Sequence, residues 1–140
     1  LEIRFSDING DGFEDVISVG YFHLTGVGWV SDTCLMYLND GVGNFSYSGN
    51  NNINVLGSAT FELADIDGDL DLDLILAGDS AAAAGAVRLF KNDGTGFFIL
   101  QPSSVFDGLL NGQIEFVDID NDGEQDLFML DRSPSQTSGE

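Results

Sequence analysis

Three twelve-residue segments of this chain align without gaps. They read Phe-Ser-Asp-Ile-Asn-Gly-Asp-Gly-Phe-Glu-Asp-Val from residue 5, Leu-Ala-Asp-Ile-Asp-Gly-Asp-Leu-Asp-Leu-Asp-Leu from residue 63, and Phe-Val-Asp-Ile-Asp-Asn-Asp-Gly-Glu-Gln-Asp-Leu from residue 116. Their first aspartates, at 7, 65 and 118, lie 58 and 53 residues apart. A second element recurs in the same phase: Leu-Asn-Asp-Gly-Val-Gly-Asn-Phe from residue 38 and Lys-Asn-Asp-Gly-Thr-Gly-Phe-Phe from residue 91, offset by 53. Two independent motifs repeating in register restrict the chain to an array of like units. The five-residue difference between the periods falls between Asp15 and Cys34, where the first copy is expected to carry a longer loop.

The units read as strands. Ahead of each acidic segment apolar residues alternate (Ile3 and Phe5, Phe61 and Leu63, Ile114 and Phe116), the period of a strand with one buried face. After each comes a nearly continuous apolar run at 16–19, 74–77 and 127–130, as in strands covered on both faces. A third strand, 35–38 or 87–90, enters the Asn-Asp-Gly-x-Gly turn, whose residues tolerate positive φ. A fourth leaves it near 45–47 or 97–100. Each repeat is thus a four-stranded antiparallel meander of roughly 55 residues, the size of a propeller blade. The expected fold is all-β, with blade 1 at residues 1–58, blade 2 at 59–111, a partial blade at 112–131, and a linker at 132–140. The alanine run at 81–84 is expected to be a loop or a single turn. Two and a half blades cannot close a ring of the usual four to eight, so the rest of a propeller, or another copy, is needed to complete it.

Composition narrows the partners. The chain is 43% hydrophobic, which rules out simple disorder, and carries a net charge of −20, which repels nucleic acid and acidic headgroups. No apolar run is long enough for a membrane-spanning helix, so no membrane insertion is expected. The first residues have neither a basic start nor an apolar stretch, so any targeting segment is expected to have been removed or to lie upstream. Cys34 is alone among apolar neighbours, which suits a buried packing role.

Aspartates outnumber glutamates 18 to 6, and short carboxylates belong to turns rather than helix faces. The acidic spacing Asp-x-Asp/Asn-x-Asp-x-x-x-Asp brings alternate side chains to one side of a tight turn. Two carboxylates about 5 Å apart repel by about 3 kcal/mol at an effective dielectric near 20, so four together call for a cation. Oxygen-only donors on a flexible loop suit calcium; zinc would want His or Cys, and His23 and Cys34 lie outside the motifs. The expected ligand sets, for up to three Ca2+ sites, are Asp7, Asn9, Asp11 and Asp15; Asp65, Asp67, Asp69 and Asp73; and Asp118, Asp120, Asp122 and Asp126, with carbonyls of Phe13, Asp71 and Glu124 at the seventh position. An EF-hand would need a Glu at position 12 and flanking helices; position 12 is Ser18, Leu76 or Met129, and the flanks alternate like strands.

The acidic loop, the apolar strand after it, and the Asn-Asp-Gly-x-Gly-x-Phe turn together resemble the FG-GAP/VCBS repeat family, the calcium-loop propeller blades related to integrin α-subunit heads. The resemblance covers residues 1 to about 131. It implies a β-propeller, calcium in the blade hairpins, a secreted or cell-surface setting, and binding or adhesion. Leu70 stands where Gly12 and Gly123 stand in the other loops, and Asn9 replaces an acid. Literal Phe-Gly and Gly-Ala-Pro words are absent, which favours the bacterial-type VCBS subgroup over integrin-like blades.

Function is expected to be binding rather than catalysis. The one histidine, His23, leaves no Ser/His/Asp or Cys/His set to assemble, and the clustered carboxylates are committed to metal. A calcium-rigidified scaffold for a glycan or protein ligand is the first reading. A non-catalytic accessory propeller attached to a secreted enzyme, such as a polysaccharide-degrading one, is the alternative. The aromatic segment Tyr-Phe-His-Leu-Thr-Gly-Val-Gly-Trp at 21–29 could contact a partner, although packing against a neighbouring blade is the expectation for it.

Overall fold

The computed structural model describes residues 2–24, 26, 28–49, 51–53, 55–80, 83–102 and 112–130. Every regular element among them is a strand. The first sheet runs in the order β1 (Glu2–Ser6), β2 (Asp15–Leu24), β3 (Gly28–Asn39) and β4 (Phe45–Tyr47). The second repeats that order with β5 (Gly57–Ala64), β6 (Asp73–Ser80), β7 (Ala83–Asn92) and β8 (Phe98–Leu100). A third sheet pairs β9 (Gln113–Val117) with β10 (Asp126–Leu130). All pairings are antiparallel between sequence neighbours, so each unit is a meander.

Register places the two motifs at the same end of each of the first two sheets. Ser6 faces Asp15, Ala64 faces Asp73 and Val117 faces Asp126, so each acidic segment is the connection of a hairpin and its last aspartate opens the following strand. Asn39 faces Phe45 and Asn92 faces Phe98, closing the outer hairpins around the Asn-Asp-Gly-x-Gly turns.

The sheets pack face to face, and the alternation of side chains along a strand decides which neighbour each residue meets. Leu74 and Leu76 of β6 join Ile17, Val19, Cys34 and Met36 of the first sheet in one core, with Phe61, Phe90 and Phe98. Ile75 and Ala77, on the opposite face of β6, join Val87 and Ile114 in a second core toward the third sheet. The apolar run at 74–77 is therefore buried on both faces, as its composition predicts. In β10 the faces differ: Leu127 and Met129 pack on the second core while Phe128 and Leu130 are exposed. Arg4 on β1 bonds Glu62 on β5 at 2.7 Å and Glu2 at 2.6 Å, and lies over the Phe61 ring. Burial, rather than this half-exposed ion pair, supplies most of the attachment between the sheets.

The five extra residues of the first repeat correct an expectation. They do not form a long loop: they lengthen the hairpin, so that β2 has 10 residues against 8 in β6, and β3 has 12 against 10 in β7. Pairing continues through His23 opposite Trp29 and Leu24 opposite Gly28, past a shift of register between Gly20 and Phe22. Continued backbone pairing satisfies N–H and C=O groups that a loop would leave to water. Thr25, Val27 and the side chains of Tyr21, Phe22, His23 and Trp29 lie outside the description. The alanine run is likewise a hairpin tip: Ser80 pairs with Ala83, Ala83 and Ala84 open β7, and residues 81 and 82 lie outside the described residues, as does the expected linker from 132 to 140.

Candidate metal centre

Each acidic loop is organised by its first aspartate, which accepts backbone amides from across the turn. Asp7 accepts from Asp11 and Gly12 at 3.1 and 2.8 Å. Asp65 accepts from Gly68, Asp69 and Leu70 at 2.8–3.1 Å. Asp118 accepts from Gly123 at 3.1 Å. The fifth position adds an Asx turn in every loop: Asp11, Asp69 and Asp122 accept the N–H two residues ahead, from Phe13, Asp71 and Glu124. The residue directly after this fifth-position acid adopts positive φ: Gly12 at 88°, Leu70 at 78° and Gly123 at 95°. Leu70 is the non-glycine exception, and its side chain is 88% exposed.

The ninth position works differently. Asp15 and Asp73 are 0% and 1% exposed, and each staples the loop to the outer hairpin. Asp15 Oδ2 accepts from Ile8 N at 3.0 Å and Oδ1 from Asn39 N at 2.8 Å. Asp73 repeats this with Ile66 N at 3.3 Å and Asn92 N at 2.9 Å. Burial pushes the Asp73 carboxyl above its ordinary range; the two amides oppose that shift, and nearby Asp69 and Asp65 reinforce it. Asp126 keeps the first half of the staple, to Ile119 N at 3.0 Å, and is exposed.

The side chain at the seventh position lies against the outer turn. A Cβ on Gly41 would stand 2.4 Å from the Phe13 ring, and one on Gly94 would stand 2.6 Å from Asp71 Oδ2. With φ of 75° and 80°, these glycines of the Asn-Asp-Gly motif are required twice over.

Two loops gather carboxylates as a cation would require. One oxygen from each of Asp65, Asp67 and Asp69 lies within 4.8 Å of the others, and so does one from each of Asp118, Asp120 and Asp126. Asp118 Oδ1 is buried without a hydrogen-bond partner among the described residues, which is the condition of an oxygen awaiting a ligand. All donors are oxygen and most are anionic, so the residues present fit a hard cation that takes about six to eight oxygens. Asp122 stands outside the triple of the third loop, where Asp126 takes part instead. In the first loop Asn9 Nδ2 donates to Asp11 Oδ2 at 3.0 Å. In the second, Lys91 Nζ forms an ion pair with Asp67.

Three participants escape a reading of residue types alone. Asn92 Nδ2 donates to the carbonyls of Ile8 at 2.8 Å and Leu72 at 3.2 Å, bridging the acidic loops of two adjacent sheets. Ile8, inside the first loop, is 1% exposed and belongs to the core between those sheets. Lys91 could have been found by aligning the repeats, since Leu38 occupies its place in the first.

The FG-GAP-like repeat family matches this chain twice, over residues 7–76 and 65–129. The chain belongs to the FG-GAP-like repeat family. A solved structure of a lectin from Agrocybe aegerita, described as the basis of specific recognition of non-reducing terminal N-acetylglucosamine, is similar to it with a TM-score of 0.62 and 24% sequence identity. The alignment covers 91% of this chain and 32% of that one, so this chain spans about a third of the lectin's length. No curated protein matches the sequence. Similarity at this level concerns the fold, and the sheets of this FG-GAP-like chain are propeller-type blades.

Proposed function

We infer that this FG-GAP-like chain is a calcium-stabilised segment of a secreted or cell-surface propeller, whose role is to hold a binding surface for a glycan or protein rather than to catalyse a reaction. The observation that carries the reading is the convergence of Asp65, Asp67 and Asp69, and again of Asp118, Asp120 and Asp126, at equivalent turns of successive blades. When bound, calcium would neutralise those carboxylates; Asp7, Asn9 and Asp11 are the corresponding residues of the first loop. The chain's own residues prepare each turn, since the first aspartate and the Asx turn fix the backbone before any cation arrives. The staple of Asp15 or Asp73 then transmits that rigidity to the outer hairpin. Glycan binding is favoured over other ligands by the fold shared with a lectin, and the acidic surface argues against nucleic acid.

Calorimetric titration with calcium tests the metal. Binding is expected, with stability raised by about 2.7 kcal/mol per independent site at 100 times the Kd and reversed by a chelator. A melting temperature indifferent to millimolar calcium and to chelator would overturn the assignment. Screening against terminal N-acetylglucosamine and other glycans tests the ligand class separately.

A further inference from the structure

In an Asn-Gly pair the main-chain nitrogen of the glycine can attack the side-chain amide before it, because glycine sets no Cβ in the way. The sequence holds two such pairs, and one of them, Asn9-Gly10, forms the third and fourth positions of the first acidic loop. Three features of that loop bear on the attack. Asp11 N–H donates to Asn9 Oδ1 at 3.2 Å, which polarises the carbonyl and would stabilise charge on its oxygen as the carbon becomes tetrahedral. Asn9 Nδ2 donates to Asp11 Oδ2 at 3.0 Å, so both ends of the amide are held and its plane is fixed. Gly10 N–H has no acceptor among the described residues: Asp7 takes the amides of Asp11 and Gly12 and passes over it. The second loop differs here, since Gly68, in the same place, donates to Asp65 Oδ1 at 2.8 Å. Gly10 is exposed, and the nearest atom to a Cβ built on it is the Gly94 carbonyl oxygen at 3.9 Å, so water reaches the pair.

We propose that Asn9 is a site of self-modification, whose side-chain amide is attacked by the unengaged Gly10 nitrogen and lost as ammonia. In the first step the Gly10 nitrogen gives its proton to solvent and bonds to Asn9 Cγ. The Cγ–Nδ2 bond breaks, and the departing nitrogen takes a proton from solvent and leaves as ammonia. In the second step one water opens the cyclic imide. Addition at Cγ leaves an ordinary aspartyl residue, and addition at the main-chain carbonyl leaves the chain joined through Cγ. Nothing is oxidised or reduced. The aspartyl product has an acid where Asp67 and Asp120 stand in the other loops, and lacks the Nδ2–H that now offsets Asp11. The first loop thereby gains a third carboxylate. The modification rests on these hydrogen bonds, and its consequence for a cation rests on the calcium reading.

The full chain, incubated in mildly alkaline buffer with chelator, is followed by peptide mapping that reads Asn9 separately from Asn111, the other residue followed by glycine. Conversion of Asn9 to both acidic products is expected while circular dichroism shows the chain still folded. The variant D67N puts an Asn-Gly pair at the same place in the second loop, where the glycine N–H is bonded. That amide is expected to convert at least about tenfold more slowly than Asn9, since a hydrogen bond to a charged group must first break. Equal rates at the two positions would overturn the proposal. So would an Asn9 that persists in the folded chain while a synthetic peptide of residues 5–14 converts. Incubation in calcium separates the two readings. Slower conversion there supports a cation held by Asn9, whereas equal rates in calcium and chelator count against calcium in the first loop and leave the modification standing.

Discussion

The first and second acidic loops are the same device with different charges. In the first, position 3 is Asn9 and the apolar Leu38 holds the place that Lys91 has in the second; there position 3 is Asp67, and Lys91 is ion-paired to it. An added acid comes with an added base, so the two loops with their outer partners carry the same sum of formal charge at these positions. Gly12 likewise becomes Leu70 without loss of the turn, because Leu70 accepts a left-handed φ of 78° and leaves its side chain in water. The lesson is that the backbone of this loop is fixed by amide-to-carboxylate bonds, and that its charge and its sixth residue are adjustable.

The staple should break that equivalence most sharply when removed. D73A and D15A each leave one buried and one partly buried amide without that acceptor and are expected to lose about 3 kcal/mol by urea denaturation in chelator. D126A, at an exposed position with one such bond, should cost less than about 1 kcal/mol. If D15A and D73A differed widely, the stability of the two loops would depend on their charge after all.

Smaller effects sharpen the charge comparison. K91M should tighten calcium binding at the second loop about two- to fivefold, and N9D should do the same at the first, the worth of one exposed ion pair, read by calorimetry at low salt. L70G is expected to stabilise the chain by up to about 1 kcal/mol, relief of left-handed strain being partly offset by the freedom glycine gains when unfolded.

The outer turns supply the smallest effect. The Asn44 side-chain amide, followed by the backbone amides of Val42 and Asn44, holds Asp40 below the usual carboxylate range; the Thr95 hydroxyl and N–H do this for Asp93. A depressed folded-state pKa contributes stability that is present above the ordinary carboxylate value and is lost as pH falls through the depressed one. N44A and T95V should each raise the titration midpoint of the neighbouring aspartate, followed by NMR, with little change in stability because both carboxylates are exposed.

Much of this was legible in the order of residues. The gapless repeats, the alternation of Ile3 and Phe5 or Phe61 and Leu63, and the glycines of the outer turns lead directly to four-stranded meanders. The acidic spacing led to the carboxylates at positions 1, 3 and 5 that converge in the second loop. What stayed hidden depends on neighbours distant in sequence. Asp15 and Asp126 are the same residue type at the same motif position; Asn39 N–H donates to the buried first, while among the described residues no outer hairpin does so for the exposed second. Asn92 reads as a turn former, and its bridge to Ile8 arises across 84 residues. The lengthened β2–β3 hairpin was missed because glycines at 20, 26 and 28 resemble loop punctuation, while pairing carried the strands past them.

Cys34 sits within the core shared by the first two blades, 8% exposed, accepting a contact from Asn51, and burial pushes its thiol up to about 12. Thiolate is the species that alkylating reagents attack, so at neutral pH the folded chain offers them almost none. Any modification must therefore wait until the two sheets come apart. The chain thus carries its own clock: the labelling rate of one native sulfur, compared in calcium and in chelator, times the parting of the blades without a single engineered substitution.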